Sequence, residues 1–173
     1  PGTYGSPECL GYLTATPSSS ALDLAKKTVT ACMNANSAHQ FIGQQAVIDL
    51  AKMDALAAKV ATFGIELVTA SGSHGDEVLD AFVHTNSTEL DDPANCDLLE
   101  FCNLIRQEPN LKLVPQIMTA TTDVINAISD AVPMTMTNAV GLSRGGLCIY
   151  IPYRSDMFDQ ANYTQCQWSS TNW

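Results

Sequence analysis

Gly146-Leu147-Cys148-Ile149-Tyr150-Ile151-Pro152-Tyr153 is a short apolar run, rich in β-branched and aromatic residues, that opens on a glycine and is broken by a proline. A run of this length and composition predicts a buried strand rather than a helix. Ahead of it, the extended stretch from Met134 to Leu142 is followed by Ser143-Arg144-Gly145-Gly146. Two extended segments around a glycine-rich turn predict a hairpin, longer than the tight two-residue kind. The pair is expected to end a central sheet, with the preceding chain supplying the helices that cover it.

Those helices are read from apolar spacing. Leu113 to Val132 carries the longest pattern, with Ile117, Val124, Ile125, Ile128 and Val132 on one stripe and Pro115 near the start, where proline is tolerated. Before it, Asp97 is placed to cap a helix that buries Leu98, Phe101, Cys102 and Ile105 and ends at Glu108-Pro109-Asn110. Glu89-Leu90-Asp91-Asp92-Pro93 is an acidic breaker. Further upstream, Asp49 precedes a helix whose face would be Leu50, Met53, Ala57, Val60 and Ala61, with Gly64 expected to stop it. The segment from Ile65 to Asp76 contains Ser71-Gly72-Ser73-His74-Gly75 and reads as a loop or weak strand, and Leu79, Phe82 and Val83 read as a short helix. Ser18-Ser19-Ser20 offers an N-cap to an amphipathic helix over residues 20–34, with Leu22, Ala25, Val29, Cys32 and Met33 at helical spacing. Residues 1–17, rich in Gly, Pro and Thr, predict an extended leader. No repeat or low-complexity tract divides the chain, so residues 1–173 are read as part of a single domain.

Composition narrows the classes of function. With 46% apolar residues the chain can build a core, and 8 basic residues against 18 acidic ones leave a net charge of −10. Nucleic acid and anionic membrane surfaces both call for a positive patch, so neither is expected as a partner. No uninterrupted apolar run approaches the ~18 residues of a membrane span. Six cysteines, Cys9, Cys32, Cys96, Cys102, Cys148 and Cys166, form no CxxC pair, which gives zinc and thioredoxin-type chemistry little support and leaves no metal site to assign. Two sequons, at Asn86 and Asn162, stand beside them. Together they predict a secreted or lumenal glycoprotein with up to three disulfides, against the competing reading of buried thiols in a reducing compartment. Six cysteines allow fifteen pairings, and short separation favours Cys148 with Cys166. Pro1 has no leader before it, which predicts a processed product or a fragment.

Three blocks in order resemble the clostripain-like cysteine peptidases of the caspase-type clan. Ala46-Val47-Ile48-Asp49-Leu50-Ala51-Lys52-Met53-Asp54-Ala55-Leu56 is similar to that family's small-Ala-Ile-Asp-Leu-Ser segment and its following helix. Cys96-Asp97-Leu98-Leu99-Glu100-Phe101 is similar to its Val-Asp-Leu-Tyr-Asp-Phe segment, and the run from Gly146 to Tyr153 to its Gly-Leu-Ser-Ile-Tyr-x-Pro strand. The aromatic tail closing on Trp173 also fits. The resemblance implies an α/β fold, a caspase-like three-layer α/β/α sandwich, of which this chain is the helix-rich C-terminal portion.

The resemblance also implies that the catalytic His and Cys lie upstream, in the same precursor or in a partner chain, so no catalytic residue is carried onto this one. In such a dyad the His takes the proton of the Cys and a thiolate attacks the scissile carbonyl. His74-Gly75 follows the Ile-Asp-Leu block instead of preceding it and is read as a loop histidine, and His39 and His84 as helix-margin residues. Calcium is a cofactor the resemblance allows, but Asp91, Asp92 and Asp97 lack the spacing of a calcium loop and are read as a solvated acidic segment. Arg144 reads as an exposed turn residue and Met134 and Met136 as strand packing. The expected function is the non-catalytic C-terminal portion of a secreted cysteine endopeptidase, completing its sheet and one wall of its substrate groove. The alternative is an inactive, peptidase-like structural or adhesive module of an extracellular assembly.

Overall fold

The structure is a computed structural model and describes residues 6–38, 44–86, 95–137 and 145–150. Along the chain run α1 (Ser6–Ala15), α2 (Ala21–Ala38), β1 (Gln44–Val47), α3 (Met53–Asn86), β2 (Asn95–Asp97), α4 (Leu98–Gln107), α5 (Pro115–Ala131), β3 (Met134–Thr137) and β4 (Cys148–Tyr150). Single 3₁₀ turns, Leu50–Lys52 and Leu111–Leu113, lead into α3 and α5. Helices dominate and the sheets are small, an arrangement compatible with an α/β class.

Local chemistry places most helix starts. Ser20 caps α2: its Oγ accepts from the Asp23 amide at 3.1 Å, satisfying an orphan donor, and its hydroxyl donates to the Asp23 carboxylate at 2.7 Å. Asp49 caps the turn before α3 by accepting from Ala51 N, and Pro115 opens α5, where a missing N–H costs nothing. The expected leader is partly helical instead. Pro7 falls in the first turn of α1, a position helices tolerate, and the remaining described part of α1 packs along α2 with Lys27 Nζ 6.0 Å from the Tyr12 ring centre.

Gly64 does not stop α3, and the expected loop from Ile65 to Asp76 is helix. Glycine propensity costs only about 1 kcal/mol in a helix interior. Against it stands a buried stripe, Leu56, Val60, Phe63 and Ala70, continued by Ala81 and Phe82, that packs on α4 and α5. The stripe is rotated from the expected one, since Leu50 is 80% exposed while Leu56 and Phe63 are enclosed. The Ser71-to-Gly75 segment leaves its mark as a kink: His74 has φ −136° and ψ 30°, outside helical values. Kinks commonly fall at such Gly/Ser clusters. This one lets both halves of α3 reach one ring of α4, because Phe63 and Phe82 lie 5.9 Å and 6.2 Å from Phe101, centre to centre. The stretch Leu50–Thr85 is long and apolar enough to cross a membrane by length and composition, a test that core helices also pass.

Among the described residues the expected hairpin is not formed. β3 pairs antiparallel with β1, with Gln44 opposite Thr137 and Val47 opposite Met134, whereas β4 pairs antiparallel with β2, with Asn95 opposite Tyr150 and Asp97 opposite Cys148. The two strands are consecutive in sequence but belong to different ladders. Strand register follows whichever face is buried. Met134 and Met136 pack with Ala25, Val29, Met33 and Val47, while Leu147 and Ile149 pack on the core under α3, α4 and α5. Each strand therefore pairs where its own apolar face is covered.

Candidate functional site

Gly145 and Gly146, just ahead of β4, meet residues from distant parts of the chain. Asp97 ends β2 and caps α4, and it is 2% exposed. Its Oδ1 accepts from Glu100 N at 3.0 Å, and its two oxygens share the Gly145 N–H at 3.0 Å and 2.9 Å. One backbone bond runs alongside, from Leu98 N to Leu147 O at 2.9 Å. A buried carboxylate is costly unless its oxygens are hydrogen-bonded, and here backbone N–H groups and the positive end of α4 supply that compensation.

Two glycines make this approach feasible. A Cβ on Gly145 would collide with Leu99 Cβ. Gly146 has φ +80°, and a Cβ there would sit 2.5 Å from Ala46 Cβ on β1 and 3.0 Å from Thr135 Cγ2 on β3. The first glycine thus lies against α4 and the second against the β1–β3 ladder. At that ladder's end, Asp49 N donates to Ala131 O at 2.8 Å, tying it to α5. The sequence signalled Asp97 as a cap and the glycines as a turn. It carried no sign that the two meet, because their contact spans separate elements.

Nucleophile chemistry has no support at the two buried cysteines, Cys96 and Cys102. Burial pushes the Cys102 thiol up to about 12, with the nearby Asp97 charge adding to it, and burial first and Asp97 second push Cys96 higher still. Thiols held protonated at neutral pH are poor nucleophiles and poor metal ligands. Among the described residues no disulfide links Cys32, Cys96, Cys102 and Cys148 to one another; Cys96 and Cys102 are core residues, Cys148 is exposed, and Cys32 accepts from Gln45 Nε2 at 3.0 Å. The Cys9 side chain and Cys166 lie outside the described residues, as do the Asn86 side chain and Asn162.

Both described histidines, His74 and His84, belong to α3. His74 lies at the α3 kink, part-buried, with Nδ1 3.7 Å from Glu77 Oε1 and no hydrogen-bond partner on that nitrogen. Glu77 in turn accepts from Asn110 Nδ2 at 2.8 Å, and its own backbone and Asn110 hold its carboxyl below the usual range. His84 is exposed, with Nδ1 2.7 Å from Asp80 O, and it lines a shallow recess of about 190 Å³ with Asp80, Ala81, Leu104, Gln107 and Glu108. That recess is at the opposite end of α4 from Asp97.

No group of three His, Cys, Asp or Glu among the described residues is arranged to hold a metal ion. Of the three aspartates weighed for calcium, Asp97 is engaged by backbone amides and Asp91 and Asp92 lie outside the described residues, as do His39 and Arg144. No protein-family model matches the chain, and neither a curated protein nor a solved structure matches it.

Proposed function

We propose that this chain is the non-catalytic C-terminal portion of a secreted clostripain-like cysteine endopeptidase, folded as part of a caspase-like α/β/α sandwich and forming one wall of the substrate groove. The observation that supports the reading is a convergence. The three blocks that resemble the family are distant in sequence, yet Ala46 of the first touches Gly146 of the third, and Asp97 of the second bonds Gly145 beside it. Sequence signatures that meet at one junction are what a shared fold would select, since each constrains the others' shape.

In this reading the protonated thiols of Cys96 and Cys102 are packing groups, and the attacking thiolate and its His belong to the upstream half. Short two-stranded ladders need further strands or cover, which that half would provide. Calcium would be a ligand of the assembled protein rather than of the described residues.

The test is hydrolysis of arginine-containing peptides by the protein purified from its natural source, with and without prior thiol alkylation. Hydrolysis abolished by alkylation is the expected result. A protein that is intact by mass and cleaves nothing would leave the second reading, an inactive peptidase-like module of an extracellular assembly. Cleavage that survives alkylation would exclude a cysteine mechanism.

A further inference from the structure

We infer that Asp97 is a positioning residue, a latch whose carboxylate fixes Gly145, and through it Gly146, to the start of α4 and so couples the two strand ladders to each other. The inference goes beyond the peptidase reading and does not depend on it.

A helix cap needs one acceptor oxygen for one amide, as Asp49 shows when it accepts from Ala51 N. Asp97 does more. Its Oδ1 serves Glu100 N, and both of its oxygens also close on Gly145 N, on the far side of the junction. Gly145 is thereby held against Leu99, and the next residue, Gly146, is pressed between Ala46 and Thr135 of the other ladder. With Gly145 fixed, Leu147 O accepts from Leu98 N and β4 enters its register with Cys148 opposite Asp97. The carboxylate therefore stands, among the described residues, beside the place where α4, the β2–β4 ladder and the Ala46–Thr135 face of the β1–β3 ladder come together. A side chain able to cap α4 but unable to hold Gly145 would leave the helix intact and free the Gly145–Gly146 pair.

Amide hydrogen exchange on the whole chain separates latch from cap. Asp97→Ser keeps a good capping oxygen but is too short to grip Gly145 as well. The expected result is at least about tenfold faster exchange at Gly145, with Glu100 changed less than about threefold, and faster exchange along the β1–β3 ladder in step with Gly145. Should Asp97→Ser fail to fold, Asp97→Asn serves. It keeps Oδ1 for Glu100 N and, at 3.0 Å, for Gly145 N, but replaces the second acceptor with an NH₂ donor, so Gly145 loses part of its protection, less than in Asp97→Ser, and Glu100 does not. Unchanged Gly145 protection in the folded variant would overturn the latch. Loss at Gly145 with an unaffected β1–β3 ladder would overturn the coupling.

Discussion

The apolar cluster among α3, α4 and α5, with β2 and β4 against it, is mainly helix packed on helix, whereas the one between α2 and the β1–β3 ladder is a single helix packed on two strands, and the two are closed differently. In the first, Phe101, Ile105, Ile117 and Val124 are enclosed on all sides, with three aromatic rings meeting at Phe101. In the second, the buried members are Val29, Met33 and Val47, none of them fully enclosed, and the two methionines of β3 complete it only in part. Burial stabilises roughly in proportion to apolar area removed from water, so the first cluster can hold its elements by packing alone. The second relies on fixed connections to the first, through Asp49 to Ala131 O and through the glycine pair. One region is stable by content and the other by attachment.

Phe101→Ala is the substitution that most directly tests this ranking. It removes the ring that both halves of α3 share and should cost about 3–5 kcal/mol in urea unfolding, against about 1–2 kcal/mol for Val29→Ala. Equal losses at the two sites would mean that the clusters are energetically equivalent and that the distinction is wrong.

The attachment itself is probed by Gly146→Ala, expected to destabilise by about 2–4 kcal/mol through its positive φ and the approach to Ala46. Pairing it with Ala46→Gly should return the steric part and leave the conformational part. If the double variant melts no higher than the single one, the close approach is not what makes the glycine necessary.

The smallest effect concerns pH. Burial raises the Cys102 thiol to about 12 from an ordinary 9.0 and raises Cys96 further. The unfolded chain therefore loses these protons first as pH rises, and their contribution is complete below about pH 9 and declines above it, by roughly 1 kcal/mol per thiol per pH unit. Melting temperatures from pH 7 to 10.5 should fall, and Cys102→Ala should flatten the fall, whatever it does to stability at neutral pH. An unchanged slope would place the alkaline sensitivity elsewhere.

The division also explains what could be read from sequence. The α4 face of Leu98, Phe101, Cys102 and Ile105 and its Asp97 cap were legible in full, because periodicity and capping are local and both pointed the same way. α5 was nearly so, with Ile125 and Val132 half-buried at the margin of the stripe. The Ser-Gly-Ser-His-Gly segment misled because it is rich in breakers, and only packing against α5 and α4 decides that it stays helical and merely kinks. The strand from Cys148 to Tyr150 was recognisable, but its partner was not. Sequence neighbours suggested β3, whereas the faces that need cover lie on opposite sides of the junction. The Asp97–Gly145 contact had no signature at all, since a capping aspartate and a turn glycine are each common alone.

That junction also has a kinetic meaning. Ala46, Asp97 and the pair Gly145–Gly146 come from widely separated parts of the chain, and closing such long loops is slow compared with forming a helix. The contact among them is thus expected to form after the aromatic cluster has condensed, beyond the folding transition state. Changes to such late contacts leave the rate of folding nearly untouched and act on the rate of unfolding instead, so the glycines and Asp97 would set how long the folded molecule lasts more than how fast it is made.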